Sequence, residues 1–264
     1  MYFSNKVVWV TGASSGIGKA LALELNKKGA KLILSSRKEE ALEAVRSLCI
    51  DKEQVKIVAL DLENYSDLHL KAKEAIACFG SIDILINNGG ISQRSLANNT
   101  SIAVDKQLMD INYLGTVALT KAILPHFIAK NKGVFAVTTS IVGKIGTPLR
   151  SSYAASKHAL HGFFDSLRAE NHHNNISVTL LCPGFVQTNI SKNALTGNGQ
   201  ALGKMDAATE NGMSAEKCAI QMLKAIKNNR KEVYIAGSKE KLGVYVKRFL
   251  PNLFAVLVRK MSVT

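Results

Sequence analysis

The chain has 264 residues, 47% hydrophobic and 20% charged, which suits one large α/β domain with a sizeable core and excludes a disordered chain. Its net charge of +14 admits a nucleic-acid binder, a protein of anionic membrane surfaces, or a solvated basic surface around an anionic cofactor pocket; the first is disfavoured because no Lys/Arg face interleaved with aromatic residues is present. Cys49, Cys78, Cys182 and Cys218 form no C-x-x-C pair and no histidine has Cys, Asp or Glu at zinc-ligand spacing, so buried thiols, no disulfide framework and no metal are expected.

Met1–Asn5 lacks a basic region followed by an apolar stretch, so no signal peptide is predicted, and no run of about 18 apolar residues offers a spanning helix. A cytosolic chain, or one attached to a membrane only peripherally, is expected. Val7–Val10 is then a strand, Gly16–Lys28 a helix with Ile17, Ala20, Leu21 and Leu25 on one face, and Lys31–Ser35 a strand. Glu39–Leu48 is helical, Val55–Leu60 a strand, and Ser66–Phe79 a helix with Ser66 as its N-cap. Ile82–Asn87 is a strand, Val104–Ala129 a long helix bent or ended near Pro125, and Val134–Thr139 a strand. Ser151–Asn171 (helix), Ser177–Cys182 (strand), Ser214–Asn228 (helix) and Val233–Ile235 (strand) complete the series. Short apolar runs alternating with amphipathic stretches predict repeated βαβ units. The strands lack polar alternation, as expected of a parallel sheet buried on both faces. The predicted fold class is therefore α/β, a doubly wound seven-stranded parallel sheet in the order 3-2-1-4-5-6-7, with ligands at the carboxyl ends of its strands. One domain spans 1–264. Within it, 191–212 is expected to be a mobile substrate loop, because Asn193–Gly212 is rich in Asn, Gly, Ala and Thr and has weak periodicity. Residues 239–264 form a basic-apolar extension, carrying Lys239, Lys241, Lys247, Arg248, Arg259 and Lys260 against one acid, Glu240.

The first strand leads into Thr11-Gly12-Ala13-Ser14-Ser15-Gly16-Ile17-Gly18, the strand–glycine loop–helix context that a dinucleotide needs. Gly12 permits a tight turn, Gly16 lets the backbone approach a pyrophosphate, and Gly18 lets the helix pack on the strand. Gly12, Ser14, Ser15, Gly16, Ile17 and Gly18 are thus the candidate phosphate site at a helix N-terminus. The second strand ends in Ser35-Ser36-Arg37-Lys38 with no acid until Glu39. An acid would take the ribose 2′-hydroxyl and repel a 2′-phosphate; Arg37, with Ser36, can hold that phosphate, so NADP(H) is preferred over NAD(H). Asp61-Leu62 ends the third strand, where the carboxylate can accept from an adenine amino group. Asn87-Asn88-Gly89-Gly90 ends the fourth, where Asn88, Gly89 and Gly90 clear room beside the adenosine ribose.

Tyr153 and Lys157 lie i, i+4 on one helix face. A tyrosine ionises near 10, and the ammonium is expected to lower that by about 2–3 units toward neutrality. Ser140, after the fifth strand, can donate to a substrate carbonyl oxygen. Asn112, a poor helix former inside a helix, can hold a water that links Lys157 to solvent. A Y-x-x-x-K pair alone is usually a helix surface pair; the conjunction of motifs in this order is more specific.

Across residues 5–236 the chain resembles a short-chain dehydrogenase/reductase of the compact single-domain kind, on Thr11–Gly18, Asp61, Asn87–Gly90, Asn112, Ser140, Tyr153, Lys157 and Pro183-Gly184. The resemblance implies a catalytic tetrad of Asn112, Ser140, Tyr153 and Lys157. It also implies that Pro183–Thr188 holds the nicotinamide carboxamide, with Pro183, Gly184, the Val186 backbone and the Thr188 hydroxyl. Gly89 departs from the family, which usually has alanine there. The extension is similar to that of the seven-B-like branch, relatives of 11β-hydroxysteroid dehydrogenases, some of which associate with membranes. Its Tyr245, Phe249, Leu250, Leu253, Phe254, Leu257 and Val258 can form an apolar face for a bilayer interface, or pack over the active site or a partner subunit. The resemblance further implies a homodimer or homotetramer through the Val104–Ala129 and Ser151–Asn171 helices.

Two functions compete at this point: a carbonyl reductase or alcohol dehydrogenase with Tyr153 as acid/base, and a non-catalytic NADP-binding sensor or membrane-surface protein on the same fold. The complete tetrad favours the enzyme, and little chain remains for the sugar domain of a nucleotide-sugar epimerase. Phe163, Phe164, Phe185 and Val186 hint at a small apolar substrate, although core packing explains the two helix residues equally well. Arg94 and Arg150 suit an acidic one, although loop arginines are more often solvated. Steroid, acyl thioester, sugar and aldehyde substrates stay open.

Overall fold

Alternation within single strands explains the layering. In the computed structural model, which describes residues 2–260, Val8 and Val10 of the first strand point into one apolar layer while Val7 and Trp9 point into the other. Strands β1 (Val7–Thr11), β2 (Lys31–Ser35), β3 (Val55–Ile57), β4 (Ile84–Asn87), β5 (Gly133–Thr138) and β6 (Ile176–Pro183) are joined by β9 (Glu232–Ile235) in one parallel sheet. The two-residue strands β7 (Val186–Gln187) and β8 (Met213–Ser214) pair only with each other. The seven-stranded order is β3-β2-β1-β4-β5-β6-β9, the doubly wound order expected. Direction along the sheet reverses between β1 and β4, which opens a crevice at their carboxyl ends.

Helices Gly16–Lys27 and Ala215–Lys227 cover one face, placing Leu21, Leu25, Met222 and Leu223 on Val8, Val10, Leu32 and Leu34. Helices Leu68–Phe79, Thr116–Ala129 and Ser151–Glu170 cover the other, with Leu119, Phe127, Leu160 and Phe164 on Trp9, Leu85 and Phe135.

Three local expectations are corrected. Ser66 does not cap a helix: the helix starts at Leu68 with Asp67 at its N-cap, and the Ser66 hydroxyl turns to the side chains of Asn64 (2.9 Å) and Asp67 (3.2 Å). Polar neighbours in its own turn compete for it. The long helix begins at Ile102, where Ser101 accepts from Val104 N, and runs through Pro125 to Ala129. Pro125 lies in the last turns, where buried Ile123 and Phe127 hold the helix on the sheet despite one missing N–H. The break comes earlier, where Asp110–Gly115 forms a π-helical segment. A Cβ on Gly115 would stand 2.2 Å from the Leu62 carbonyl oxygen, so this close approach requires glycine. Third, β3 is short: only Val55–Ile57 pairs as strand, although Val58 N and Leu60 N still donate to Leu34 O and Ser36 O.

Residues 191–212 fold back onto the segment that follows β4. Leu195 bridges Gln93 and Ala201, and Asp206 caps a one-turn helix, Ala207–Glu210, by accepting from Thr209 N at 2.8 Å. The extension forms helices Ser238–Phe249 and Pro251–Leu257, whose Val244 and Phe254 pack on Ile141, Ile145 and Cys182. The residues of the extension after Lys260 lie outside the described part of the chain.

Candidate active site

The glycine loop touches two other strand-end segments, and its glycines leave no room for a Cβ. Gly12 (φ +64°) and Gly16 (φ +51°) are left-handed; a Cβ would lie 2.8 Å from Gly89 Cα and 2.9 Å from Thr188 Cγ2 respectively. On Gly18 it would lie 2.1 Å from the Gly12 carbonyl oxygen. Ser15 precedes the helix and gives its amides no side-chain cap, which leaves an electropositive helix start beside Ser14 and Ile17. An uncapped helix terminus in a cradle kept open by glycine fits a pyrophosphate. At the end of β2, Ser36 is half-buried and Arg37 exposed, a geometry open to a 2′-phosphate. Asp61 accepts from Glu63 N at 3.0 Å.

Thr11, which sequence reading gave no role beyond its motif, stitches this region together. Its hydroxyl accepts from Asn88 N and Gly89 N, both at 3.0 Å, and Asn88 Nδ2 donates to the Thr11 carbonyl at 3.2 Å. At Gly89, where the family pattern has alanine, a Cβ would lie 2.7 Å from Leu62 Cδ1, so an alanine there would require the leucine tip to shift.

Tyr153 and Lys157 sit in the first turns of the Ser151–Glu170 helix, with Lys157 Nζ 5.9 Å from the tyrosine ring centre and donating to Thr138 O at 2.9 Å. Ser140 leaves β5, its hydroxyl shared among Tyr153, Val142 N (3.2 Å) and Pro183 O (3.4 Å). Asn112, in the π segment, is wholly buried. Its Oδ1 accepts from Ile91 N (2.8 Å) and its Nδ2 donates to Ile91 O (2.9 Å) and Ser156 Oγ (3.0 Å). With its side chain committed to protein, a water link from Lys157 would need the Asn112 main chain. A Cβ on Gly90 would lie 2.8 Å from Asn112 Oδ1 and 3.5 Å from Lys157 Nζ, which places all three at one point.

The electrostatics differ from expectation. Burial pushes the Tyr153 phenol up, and the groups that pull it part of the way back are Arg150, then Ser140 and Arg94, not Lys157. Burial also lowers Lys157 from 10.5 to about 8. Desolvation therefore outweighs the tyrosine–ammonium attraction anticipated from helix spacing.

Nor are Arg94 and Arg150 solvated. Arg94 grips buried Asp206 through Nε (2.9 Å) and Nη2 (2.7 Å), and Arg150 Nη2 lies 3.9 Å from the same carboxylate. The Arg150 guanidinium also stacks 5.1 Å from the Phe185 ring centre, and burial, then Arg94, brings it down to about 10. A cleft of about 410 Å³ opens along Arg94, Leu149, Leu202, Lys204 and Asp206. Phe164 is core, Phe163 packs edge-on against Tyr113, and Val186 is buried, which leaves Phe185 as the one of the four beside the arginines.

Sequence reading missed Gln93. This fully buried side chain accepts from Ser152 N (3.0 Å) and Tyr153 N (3.2 Å) at the start of a helix whose own N-cap, Arg150, offers no side-chain cap. It also missed the meeting of His161, Cys182 and Glu232 from three distant elements. The imidazole turns Nδ1 to Glu232 (3.2 Å) and Nε2 to Cys182 (3.9 Å), while Lys144 neutralises Glu232 at 3.1 Å. Burial pushes Cys182 up to about 12, so it stays a thiol. The group links β9 to the Ser151–Glu170 helix through polar side chains.

With this geometry in view, residues 6–199 match the family model for short chain dehydrogenase. The chain is 42% identical to an Anopheles gambiae protein named dehydrogenase/reductase SDR family protein 7-like, over 99% of this chain and 84% of that one. It is 42% identical to mouse dehydrogenase/reductase SDR family member 7B, over 96% of this chain and 80% of that one. Among solved structures, a short chain dehydrogenase/reductase from Burkholderia phymatum in complex with NAD superposes with a TM-score of 0.85 at 24% identity, covering 96% of each chain, a likeness of fold.

Proposed function

The chain belongs to the short-chain dehydrogenase/reductase family, and on that premise we propose that it moves hydride between NADP(H) and a small apolar ketone, aldehyde or secondary alcohol, with Tyr153 as acid/base. The observation that carries this reading is the convergence of Tyr153, Ser140, Lys157 and Asn112 beside a glycine cradle that fits a dinucleotide. When bound, the nicotinamide supplies the hydride in reduction and accepts it in oxidation. Tyr153 gives its phenolic proton to the substrate oxygen, and Ser140 donates a second hydrogen bond there, holding the negative charge that develops. Lys157 orients the nicotinamide ribose hydroxyls, and Asn112 holds the Ile91 segment against the catalytic helix. Asp61, Leu62, Asn88, Gly89 and Gly90 receive the adenosine side; Pro183, Gly184, Val186 and Thr188 receive the carboxamide.

The end of β2, Ser35-Ser36-Arg37-Lys38 with no acid until Glu39, supports NADP(H) over NAD(H). Titration of the purified protein should show NADPH binding at least about tenfold tighter than NADH, and Arg37→Ala should remove most of that difference. Equal affinities would reject the phosphate role of Arg37. Oxidation of the bound NADPH in the presence of a panel of ketones and aldehydes then identifies the substrate class.

Two surfaces support assembly beyond the single chain. Ile102 (80% exposed), Leu114 and Ile128 lie bare along the helices from Ile102 to Ala129, consistent with a homodimer or homotetramer through that face and the Ser151–Glu170 helix. Leu242, Tyr245, Phe249 (73% exposed), Leu250, Leu253 and Leu257 lie bare on the extension among Lys239, Lys241, Lys247 and Arg248. No helix among the described residues is long and apolar enough to cross a membrane. The exposed apolar and basic groups suit weak peripheral contact with an anionic bilayer. Co-sedimentation with phosphatidylserine vesicles is expected for the full chain and should drop several-fold in Phe249→Asp; a wild type that stays in the supernatant ends this part of the reading.

A further inference from the structure

The extension carries one acid among its basic residues, and that acid points inward. Glu240 is the third residue of the Ser238–Phe249 helix, and its Oε2 accepts from Gly237 N at 2.6 Å, closing the helix start. Its other oxygen, Oε1, leaves the helix and accepts from Phe185 N at 2.9 Å. The fit is tight: a Cβ on Gly184 would stand 2.1 Å from Oε1. The segment that receives this contact is Pro183–Thr188. On its remaining sides, Gly184 N donates to Ile235 O (3.0 Å) and Phe185 O accepts from Met213 N (3.0 Å). Arg150, which bears on the Tyr153 phenol, stacks on the Phe185 ring. Lower down, Val244 and Phe254 of the extension pack on Ile141, directly after Ser140.

We propose that Glu240 is a positioning residue for the nicotinamide half of the cofactor: its carboxylate ties the Pro183–Thr188 segment to the C-terminal extension and sets where that segment meets the ring. The inference rests on the cofactor reading above. A carboxylate accepting two backbone N–H bonds is stronger than neutral acceptors, and nothing else described accepts from Phe185 N. With Glu240 removed, Phe185 N loses its acceptor and the segment gains freedom where the carboxamide would dock. The adenosine end, cradled by Gly12–Gly18 and the end of β2, is untouched.

The test compares two ligands on the full chain: NADPH, and adenosine 2′,5′-bisphosphate, which has the adenosine half and its phosphates but no nicotinamide. Glu240→Ala should weaken NADPH about tenfold and leave the bisphosphate within about twofold. Glu240→Gln, which keeps the shape but retains one acceptor oxygen, should shift NADPH in the same direction by less. A helix cap with no further role would lower the melting temperature and leave the ratio of the two affinities unchanged, and that result overturns the proposal. So does equal weakening of both ligands. If the wild type prefers NADH, the NADP assignment fails, and the same comparison with NADH against AMP decides the role of Glu240. A wild type that binds neither cofactor overturns both.

Discussion

Replacing Tyr153 with phenylalanine should lower turnover by about 10³-fold while leaving NADPH affinity within about twofold. The substitution removes one hydroxyl and keeps the ring in place. The main chain of residue 153 is held from outside the helix by Gln93, which accepts from Ser152 N and Tyr153 N, so the backbone has no reason to move. On the proposed reading the lost group is the proton donor, and Ser140 cannot replace it, because an aliphatic alcohol is a far weaker acid than a phenol. On the proposed reading, cofactor binding depends on the glycine cradle and the Pro183–Thr188 segment, and neither makes a hydrogen bond to the phenol among the described residues. Single-turnover oxidation of NADPH against cofactor titration separates the two effects, and a Tyr153→Phe enzyme at full rate would remove Tyr153 from the chemistry. The pH profile carries a sign. In reduction the phenol must hold its proton, and burial raises its pKa, so it stays protonated through neutral pH. Lys157 is the group that titrates nearby, brought down to about 8 by burial. In the free enzyme, kcat/KM for reduction should therefore hold below pH 8 and decline above it as Lys157 loses its charge. A limb near neutrality that vanishes with Tyr153 would instead restore the lowered phenol expected from helix spacing.

That contrast shows what a sequence encodes locally and what it does not. The T-G-x-x-x-G-x-G loop, the Tyr153–Lys157 spacing and the strands themselves were legible because each leaves a local trace: glycines at fixed spacing straight after a strand, four residues for one helical turn, and apolar runs for buried parallel strands. The depth of burial around Tyr153 was not legible, because it depends on elements far apart in the chain, and depth decides the sign of its shift. Gln93, Arg94–Asp206 and Glu240–Phe185 were invisible for the same reason; the last two join residues 112 and 55 positions apart. The π segment at Asp110–Gly115 leaves only a weak trace, an asparagine and a glycine inside a helical pattern, and the glycine is explained by contact with Leu62, contributed by the end of the third strand region. Ser66 failed as a cap because cap propensity cannot choose between a helix amide and equally close polar side chains.

Asn112 makes non-local contacts of the same kind, and Asn112→Leu should cost about 3 kcal/mol of stability, or roughly 6–12 °C in melting temperature for a chain of this size. Leucine fits the volume but satisfies nothing. Ile91 N loses its acceptor, and Ile91 O and Ser156 Oγ lose a donor, in a position with no exposure to water. The consequence should extend to catalysis, because Ser156 donates to the Tyr153 carbonyl at 2.8 Å and Ile91 follows Gly90, the residue that meets Lys157. Turnover is expected to fall about 10²-fold, with the loss in kcat rather than KM, since the catalytic helix and the Asn87–Gly90 segment lose their shared tie while the glycine cradle remains. Asn112→Asp provides the control. It keeps an acceptor for Ile91 N but turns a second oxygen toward the Ile91 carbonyl, and it places a negative charge near Lys157. Stability should still fall, whereas the alkaline limb near pH 8 should move upward because the ammonium gains a counter-charge. Thermal melts and pH profiles of the two variants separate the structural role from the electrostatic one: unchanged melting in Asn112→Leu would deny the bridge, and an unmoved limb in Asn112→Asp would deny that Lys157 sets it.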